Sequence, residues 1–288
     1  MSTHRVCLAI AGLTIELSGP SIMLASTRAR YQAFVTDEPV AAMRLQVHRA
    51  GQGFSDHVDR GEGVEVRPHG DGWALSGRLC GAVDADGGWL AEAHDLGAVD
   101  ALVRLALVRR LPSLGALPFH AALTDDGTVF AGHSGAGKST VAAALGGLCD
   151  ELTVVGDEGR SAWSTPYWGQ RSLAMPLRRV VILQPARDGE VPVLTRLNGM
   201  EALRALVPHL VRWAPLPSVD GPSLRLLGRL CEQVEVVRAV CPRGVAFVPF
   251  VAQALALVPA AVPAAVPAAV PAAVPAAVPA AVPAAVPA

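Results

Sequence analysis

The chain has 288 residues, a formal net charge of −1 and an apolar fraction of 51%. Because domains usually contain about 100–200 residues, this length accommodates one large domain or two smaller ones, each with a buried core. The near-zero net charge provides no global basic field for nucleic acid, and no zinc-finger, basic-zipper or basic-aromatic pattern occurs. We therefore expect no nucleic-acid partner.

The five cysteines are scattered and include no C-x-x-C pair, a spacing that predicts neither a disulfide framework nor a zinc site. An apolar stretch at residues 6–15 is preceded only by His4 and Arg5 as basic residues and is followed by no convincing cleavage site, so we interpret it as a pair of strands rather than a signal peptide. We therefore expect reduced thiols in a cytoplasmic protein.

Residues 1–95 carry short alternating or β-branched stretches separated by turn residues. The predicted strands are residues 6–10, 33–36, 43–47, 64–68 and 73–75, with turn signals at 69–72 and 84–88. This pattern predicts a small β-rich N-terminal domain without an evident catalytic motif.

Residues 96–255 differ, because helical and strand patterns alternate there. The predicted helices are residues 99–111, 138–148, 200–213 and 224–234, and the predicted strands are residues 128–131, 152–155, 179–183 and 234–240. Alternation of this kind indicates an α/β layer architecture.

Residues 256–288 form a tail in which Val-Pro-Ala-Ala repeats from Val258 to the end. The tail is apolar and long enough to cross a bilayer, but a proline in every helical turn would leave carbonyls without partners in lipid. We expect no membrane span and an extended or disordered tail, which is either a spacer or docking arm or a low-complexity expansion without a role.

Residues 132–139 fit the phosphate-binding pattern G-x-x-x-x-G-K-[ST]. Glycines allow backbone N–H groups to turn toward phosphate oxygens, and the following helix directs its positive end at the same anion. Lys138, the only lysine in the chain, would reach the β and γ phosphates, and the Ser139 hydroxyl would complete the Mg²⁺ shell. The predicted nucleotide-binding residues are Gly132, His133, Ser134, Gly135, Ala136, Gly137, Lys138, Ser139 and Thr140. The alternative is a glycine-rich turn without a ligand.

The guanine-specificity pattern Asn-Lys-x-Asp requires a second lysine, so we expect ATP rather than GTP as the donor. An acidic pair, Asp157-Glu158, follows the predicted strand 152–155. If that strand lies next to the loop strand, a carboxylate at its end would face the terminal phosphate. The alternative for this pair is a solvated turn after a strand.

Three features occur in order: Phe119-His120-Ala121-Ala122 before the loop strand, the loop itself, and Val155-Gly156-Asp157-Glu158 after the next strand. Together they resemble the catalytic core of the HPr kinase/phosphorylase family, bacterial P-loop kinases that phosphorylate a serine hydroxyl and share features with phosphoenolpyruvate carboxykinase. Residues 164–169 are similar to a segment of HPr kinase-like proteins, and the resemblance covers about residues 97–250. Glu158 stands where the family pattern is closer to a second Asp, so the chain resembles a relative rather than a true HPr kinase.

This resemblance implies a P-loop kinase core of the HPr kinase/phosphoenolpyruvate carboxykinase type. It implies that Asp157 is the general base for the acceptor hydroxyl and that His120 lies beside it, tuning or sharing the proton. Lys138 would be the third catalytic residue. Ser139, Asp157 and Glu158 would hold Mg²⁺. The alternative for His120 is a strand-end histidine whose polar groups are satisfied by the backbone.

The expected function is transfer of the γ-phosphate of ATP to a serine-type hydroxyl of a protein or peptide, or to a small hydroxylated metabolite. A non-catalytic ATP-binding regulatory or scaffold protein is the alternative. A third interpretation is an ATPase that couples hydrolysis to motion. The sequence does not show the acidic strand end, far from the loop, that such ATPases have. The sequence is compatible with a homo-oligomer.

Overall fold

The structure, a computed structural model, describes residues 4–37, 43–49, 65–69, 72–76, 79–83, 88–93, 95–156, 159–167, 171–212 and 217–257. These residues form six α-helices and three β-sheets. The mixed content confirms the α/β class predicted from the alternating patterns. Residues 258–288 of the predicted tail lie outside the described residues.

The first sheet contains eight strands from the N-terminal part of the chain. They are β1 His4–Ile10, β2 Leu13–Gly19, β3 Val35–Thr36, β4 Met43–Arg49, β5 Glu65–His69, β6 Gly72–Ser76, β7 Leu79–Val83 and β8 Gly88–Ala93, in the order β3-β1-β2-β4-β8-β7-β6-β5. All five predicted strands overlap strands of this sheet. However, the strand predicted at 33–36 begins as a 3-10 turn, Gln32–Phe34, and only Val35–Thr36 is extended.

Two helices, α1 (Ser21–Arg30) and α2 (Leu96–Arg110), pack with this sheet. The sequence patterns did not predict α1, which buries few apolar side chains. In contrast, α2 is buried almost all round, because it lies between the first sheet and a second one. Its N-cap is Asp95, whose carboxylate accepts a 2.8 Å hydrogen bond from the backbone N–H of Ala98.

The second sheet is antiparallel and has four strands. They are β9 Leu117–Phe119, β13 Thr153–Gly156, β14 Ser161–Trp163 and β15 Ala174–Pro176, in the order β15-β14-β13-β9. The strand predicted at 152–155 is therefore present as β13. It does not lie next to the loop strand as expected, because β9 and β14 occupy both of its edges.

The third sheet has six strands and carries the glycine-rich loop. They are β10 Ala121–Thr124, β11 Thr128–Ala131, β12 Gly147–Cys149, β16 Arg179–Pro185, β17 Val193–Arg196 and β18 Glu235–Cys241, in the order β12-β10-β11-β16-β18-β17. The central strands β11, β16 and β18 are parallel, so their carboxyl ends meet at one edge. Edges of this kind are where open α/β sheets bind ligands.

Helices cover both faces of the third sheet. They are α3 Lys138–Ala144, α4 Gly199–Leu206, α5 Pro217–Gln233 and α6 Phe247–Leu257. Alternate residues of β11 enter different hydrophobic clusters: Val129 and Ala131 pack with α4 and α5, whereas Phe130 packs with α3 and α6. Burial on both faces explains why the central strands are continuous apolar runs.

Two predicted helices end earlier than expected. The helix predicted at 138–148 ends at Ala144, because Gly146 adopts a left-handed φ of 78° and β12 begins at the next residue. The helix predicted at 200–213 ends at Leu206 and continues only as the 3-10 turn Val207–His209, since Pro208 cannot donate a helical hydrogen bond. The helix predicted at 224–234 begins earlier, at Pro217, and α6 was not predicted.

None of the helices in the described part of the chain combines the length and the apolar character that crossing a bilayer requires. Cys7, Cys149, Cys231 and Cys241 are free thiols. The cytoplasmic location remains a prediction from the sequence.

Candidate functional site

The glycine-rich loop begins where β11 ends, at the carboxyl edge of the parallel strands. Gly132 has a φ of 157°, and a Cβ at this position would lie 2.9 Å from the carbonyl oxygen of Leu183 in β16. The same Cβ would lie 2.9 Å from the Cβ of Ala136. Only glycine therefore allows the loop to fold back on itself while it packs against the neighbouring strand.

A second glycine, Gly137, packs closely against a neighbouring helix at the far end of the loop. Gly137 has a φ of 97° and precedes the first residue of α3. A Cβ on Gly137 would overlap the ring of Phe247, the first residue of α6. The loop is thus held between β16 on one side and α6 on the other.

Lys138 directs its ammonium group back over the start of the loop. Its Nζ donates hydrogen bonds to the carbonyl oxygens of Gly132, at 2.9 Å, and His133, at 3.2 Å. The side chain is buried, and burial lowers the pKa of the ammonium group, while the carboxylates of Asp150 and Glu151 oppose that change. The ammonium group of Lys138 is therefore held at the mouth of the loop.

Several of the other loop residues present an open surface. His133, Ser134 and Gly135 are exposed, as are Ser139 and Thr140 on the first turn of α3. The structure thus brings all nine predicted nucleotide-binding residues together in one loop and the adjoining helical turn.

His120 lies at the junction between β9 and β10, where the chain passes from the second sheet to the third. Its ring Nδ1 is 3.1 Å from the main-chain oxygen of Glu151. Because a carbonyl oxygen can only accept, Nδ1–H is the donor, and Nε2 is the unprotonated nitrogen of the neutral ring. This backbone contact is the one expected of a strand-end histidine, and it also fixes the orientation of Nε2.

The pKa of His120 is lowered, chiefly by burial and then by the positive charge of Lys138. The hydrogen bond to Glu151 and the carboxylates of Glu151 and Asp150 oppose this change. His120 and Lys138 therefore belong to one electrostatic environment.

The predicted acidic residues Asp157 and Glu158 lie outside the described residues. They follow Gly156, the last residue of β13. The roles assigned to them, as general base and as ligands of Mg²⁺, remain predictions from the sequence.

An acidic pair that the sequence analysis missed lies close to the loop lysine. Asp150 is buried and accepts a 2.8 Å hydrogen bond from the backbone N–H of Glu151. Glu151 has a φ of 70°, which is unusual and strained for a residue with a side chain. The available signal was an acidic pair after a glycine-rich break, but the helix predicted at 138–148 concealed the strand before it.

The backbone around this pair is held by α2. The guanidinium of Arg104 lies 3.8 Å from the Glu151 carboxylate and 4.1 Å from the ring centroid of Tyr167. Asp150 donates its backbone N–H to the main-chain oxygen of Tyr167 at 3.1 Å, and the Tyr167 hydroxyl donates to the main-chain oxygen of Asp100 at 3.0 Å. Arg30 and Tyr31, at the end of α1, contact the Asp100 carboxylate, which links the site to α1.

His209, also missed, lies next to His120 and contacts the loop. Its ring centroid lies 5.3 Å from that of His133, with the rings inclined by 64°. Burial lowers its pKa to about 4, and His133, Lys138 and His120 act in the same direction. We call His120, His209, Asp150 and Glu151 the histidine face of the site. His209 carried no sequence signal, because it lies in a stretch predicted to be helical.

The described residues contain no group of three or more His, Cys, Asp or Glu side chains arranged to hold a metal ion. Asp157 and Glu158 lie outside the described residues and are therefore not included.

A comparison with protein-family models finds no match to the chain, and a comparison with curated proteins finds none either. The likeness to HPr kinase-like proteins therefore rests on the sequence motifs alone.

Proposed function

We propose that the chain is an ATP-dependent phosphotransferase of the HPr kinase-like type, which moves the γ-phosphate to a serine-type hydroxyl of a protein or peptide. The observation that carries this proposal is the buried ammonium of Lys138, held at the mouth of a glycine loop on the carboxyl edge of parallel strands. This is the arrangement in which P-loop proteins hold triphosphates.

The loop residues fit a triphosphate. Side chains at Gly132 and Gly137 would collide with Leu183 and with Phe247, so only glycine keeps the backbone in this course, and a glycine-rich loop of this kind suits a phosphate nest. Lys138 donates to two loop carbonyls, and phosphate oxygens would replace these oxygens as stronger, charged acceptors. The preference for ATP over GTP remains an inference from the absence of a second lysine in the sequence.

Oxygen ligands suit Mg²⁺, and the exposed Ser139 hydroxyl on the first turn of α3 is one. Asp157 and Glu158 would supply carboxylate oxygens as the others. When bound, Mg²⁺ neutralises negative charge on the phosphate oxygens.

The state of His120 supports transfer rather than binding alone. Burial and Lys138 lower its pKa, so the ring is neutral near pH 7 and its Nε2 accepts a proton. In the proposed reaction, Asp157 takes the proton of the acceptor hydroxyl and His120 shares it. A module that only senses ATP requires no proton acceptor.

The test uses ATP labelled on its γ-phosphate, incubated with the chain and an extract that contains serine-bearing proteins. We expect label on a protein. Asp157→Asn should still bind ATP, because the loop and Lys138 remain, and should lose transfer by about a hundredfold, as expected for loss of a general base. Lys138→Ala should weaken both binding and transfer, because the ammonium contacts the phosphates in both states.

The matched control is Asp125→Asn, an exposed acidic residue at the opposite end of the loop strand, which should alter neither binding nor transfer. Full transfer by Asp157→Asn would exclude that residue as the base. Label recovered only as free phosphate would favour an ATPase. ATP binding without release or transfer of label would favour a regulatory or scaffold protein, and no ATP binding at all would contradict the proposal.

A further inference from the structure

Main-chain hydrogen bonds hold His209 beside the loop. Its carbonyl oxygen accepts a 2.8 Å hydrogen bond from the N–H of His120. The next two residues continue this pairing, since Leu210 bridges Phe119 and the N–H of Val211 donates to the carbonyl of Pro118 at 2.9 Å. The position of residue 209 is thus set by β9 rather than by the end of α4.

The side chain of His209 points to one particular corner of the loop. Its ring contacts His133, the residue whose carbonyl oxygen accepts a hydrogen bond from Lys138. Because the lysine of a P-loop reaches the β and γ phosphates, this corner belongs to the terminal phosphates and not to the nucleoside. His209 therefore lies at the phosphate end of the site, where ATP carries the γ-phosphate that ADP lacks.

The imidazole of His209 is suited to contact an anion without being charged itself. The residue is 4% exposed, and a pKa of about 4 keeps the ring neutral near pH 7. A neutral imidazole carries one N–H donor and one acceptor nitrogen. A phosphoryl oxygen would accept the N–H.

We propose that His209 is a further binding residue of this site, which donates a hydrogen bond to the terminal phosphoryl group and makes the site prefer ATP to ADP. This inference rests on the proposed function, because it requires a triphosphate in the loop. It assigns a specificity role to a segment that is separate from the loop in the sequence. It leaves proton transfer to Asp157 and His120.

The experiment measures dissociation constants of ATP and ADP by titration calorimetry for the wild-type chain, His209→Leu and His209→Gln. Leucine keeps the volume without the donor, whereas glutamine keeps an N–H donor. We expect His209→Leu to weaken ATP binding by about tenfold and to leave ADP binding within about twofold, as for loss of one hydrogen bond to a charged group. His209→Gln should recover most of the ATP affinity.

His4→Leu, which removes an exposed histidine on β1, is the control and should change neither constant. Unchanged ADP binding also shows that the leucine variant is folded. Equal loss of ATP and ADP affinity, or no loss at all, would overturn the assignment of His209. If the wild-type chain bound neither nucleotide, the proposed function itself would fail, which is a separate outcome.

Discussion

The loop and the histidine face meet beside Lys138, at the proposed phosphate site, but they position their groups by different means. The loop is a run of consecutive residues whose backbone is confined by contacts at Gly132 and Gly137. The histidine face is assembled from three separate segments, at His120, at Asp150 and Glu151, and at His209. Its parts are held by the main-chain hydrogen bond from His120 to His209 and by the contact of the His120 ring with the main-chain oxygen of Glu151.

This difference has consequences for what each region tolerates. The loop depends on backbone shape, so we expect it to be sensitive to an added Cβ and indifferent to pH. The histidine face depends on buried neutral rings and nearby charges, so we expect it to be sensitive to protonation. Substitutions that affect one region and spare the other would test this contrast.

The largest effect is expected for Gly132→Ala. The new Cβ would lie 2.9 Å from the carbonyl oxygen of Leu183, a backbone atom of the central sheet that cannot move aside. Strain at a φ of 157° adds to this contact. We expect the free energy of unfolding to fall by about 3 kcal/mol, measured by urea denaturation, together with loss of ATP binding.

Gly189→Ala is the matched control for this substitution. Gly189 has a φ of 79°, but no atom lies within 4 Å of its added Cβ. It should lose only about 1 kcal/mol, the cost of the left-handed conformation, and keep its ATP affinity. Similar losses in the two variants would show that contact with β16 does not restrain the loop.

The contrast also explains which parts of the site the sequence could predict. The loop motif is contiguous, and each residue type in it has a local physical reason, so residues 132–140 could be proposed from the sequence alone. The strands β11, β16 and β18 were predicted because both of their faces are buried, which produces long apolar runs.

The histidine face could not be predicted in this way, because its members meet only through tertiary pairing. His209 reaches the loop because the segment after Pro208 pairs with β9, and no local pattern encodes that contact. Pro208 was nevertheless a signal that the predicted helix ends early. Likewise, the adjacent glycines at 146 and 147 marked the end of α3, and thereby the strand that leads to Asp150.

The next effect concerns the histidine face and pH. The pKa of His209 is lowered from the ordinary 6.5 to about 4 in the folded chain, through burial and the neighbouring His133, Lys138 and His120. Between these values the unfolded chain binds a proton that the folded chain does not, so stability is complete above about pH 6.5 and is lost as the pH falls toward 4. We expect His209 to account for a loss of about 2 kcal/mol between pH 7 and pH 5.

The measurement compares the free energy of unfolding at pH 7 and pH 5 in the wild-type chain and in His209→Gln. Glutamine does not titrate in this range, so the pH dependence of the variant should be shallower by the same amount. The lowered pKa of His120 acts with the same sign in both proteins and cancels in the comparison. An identical pH dependence would mean that His209 is not buried in its neutral form.

The smallest effect tests how the acidic pair acts on the histidine face. The Glu151 carboxylate raises the pKa of His120, whereas its main-chain oxygen holds Nδ1. Glu151→Gln removes the charge and keeps the backbone contact, so the pKa of His120, followed by NMR titration of its ring protons, should fall further below the ordinary value. Because the Arg104–Glu151 pair is partly exposed, the free energy of unfolding should change by no more than about 0.5 kcal/mol.

The control is Glu190→Gln, at an exposed site whose carboxylate accepts a hydrogen bond from the N–H of Arg187. It should leave the His120 titration unchanged. A rise in the pKa of His120 in Glu151→Gln would show that the substitution had released the backbone of residue 151, and that the strained turn, rather than the carboxylate, controls the ring.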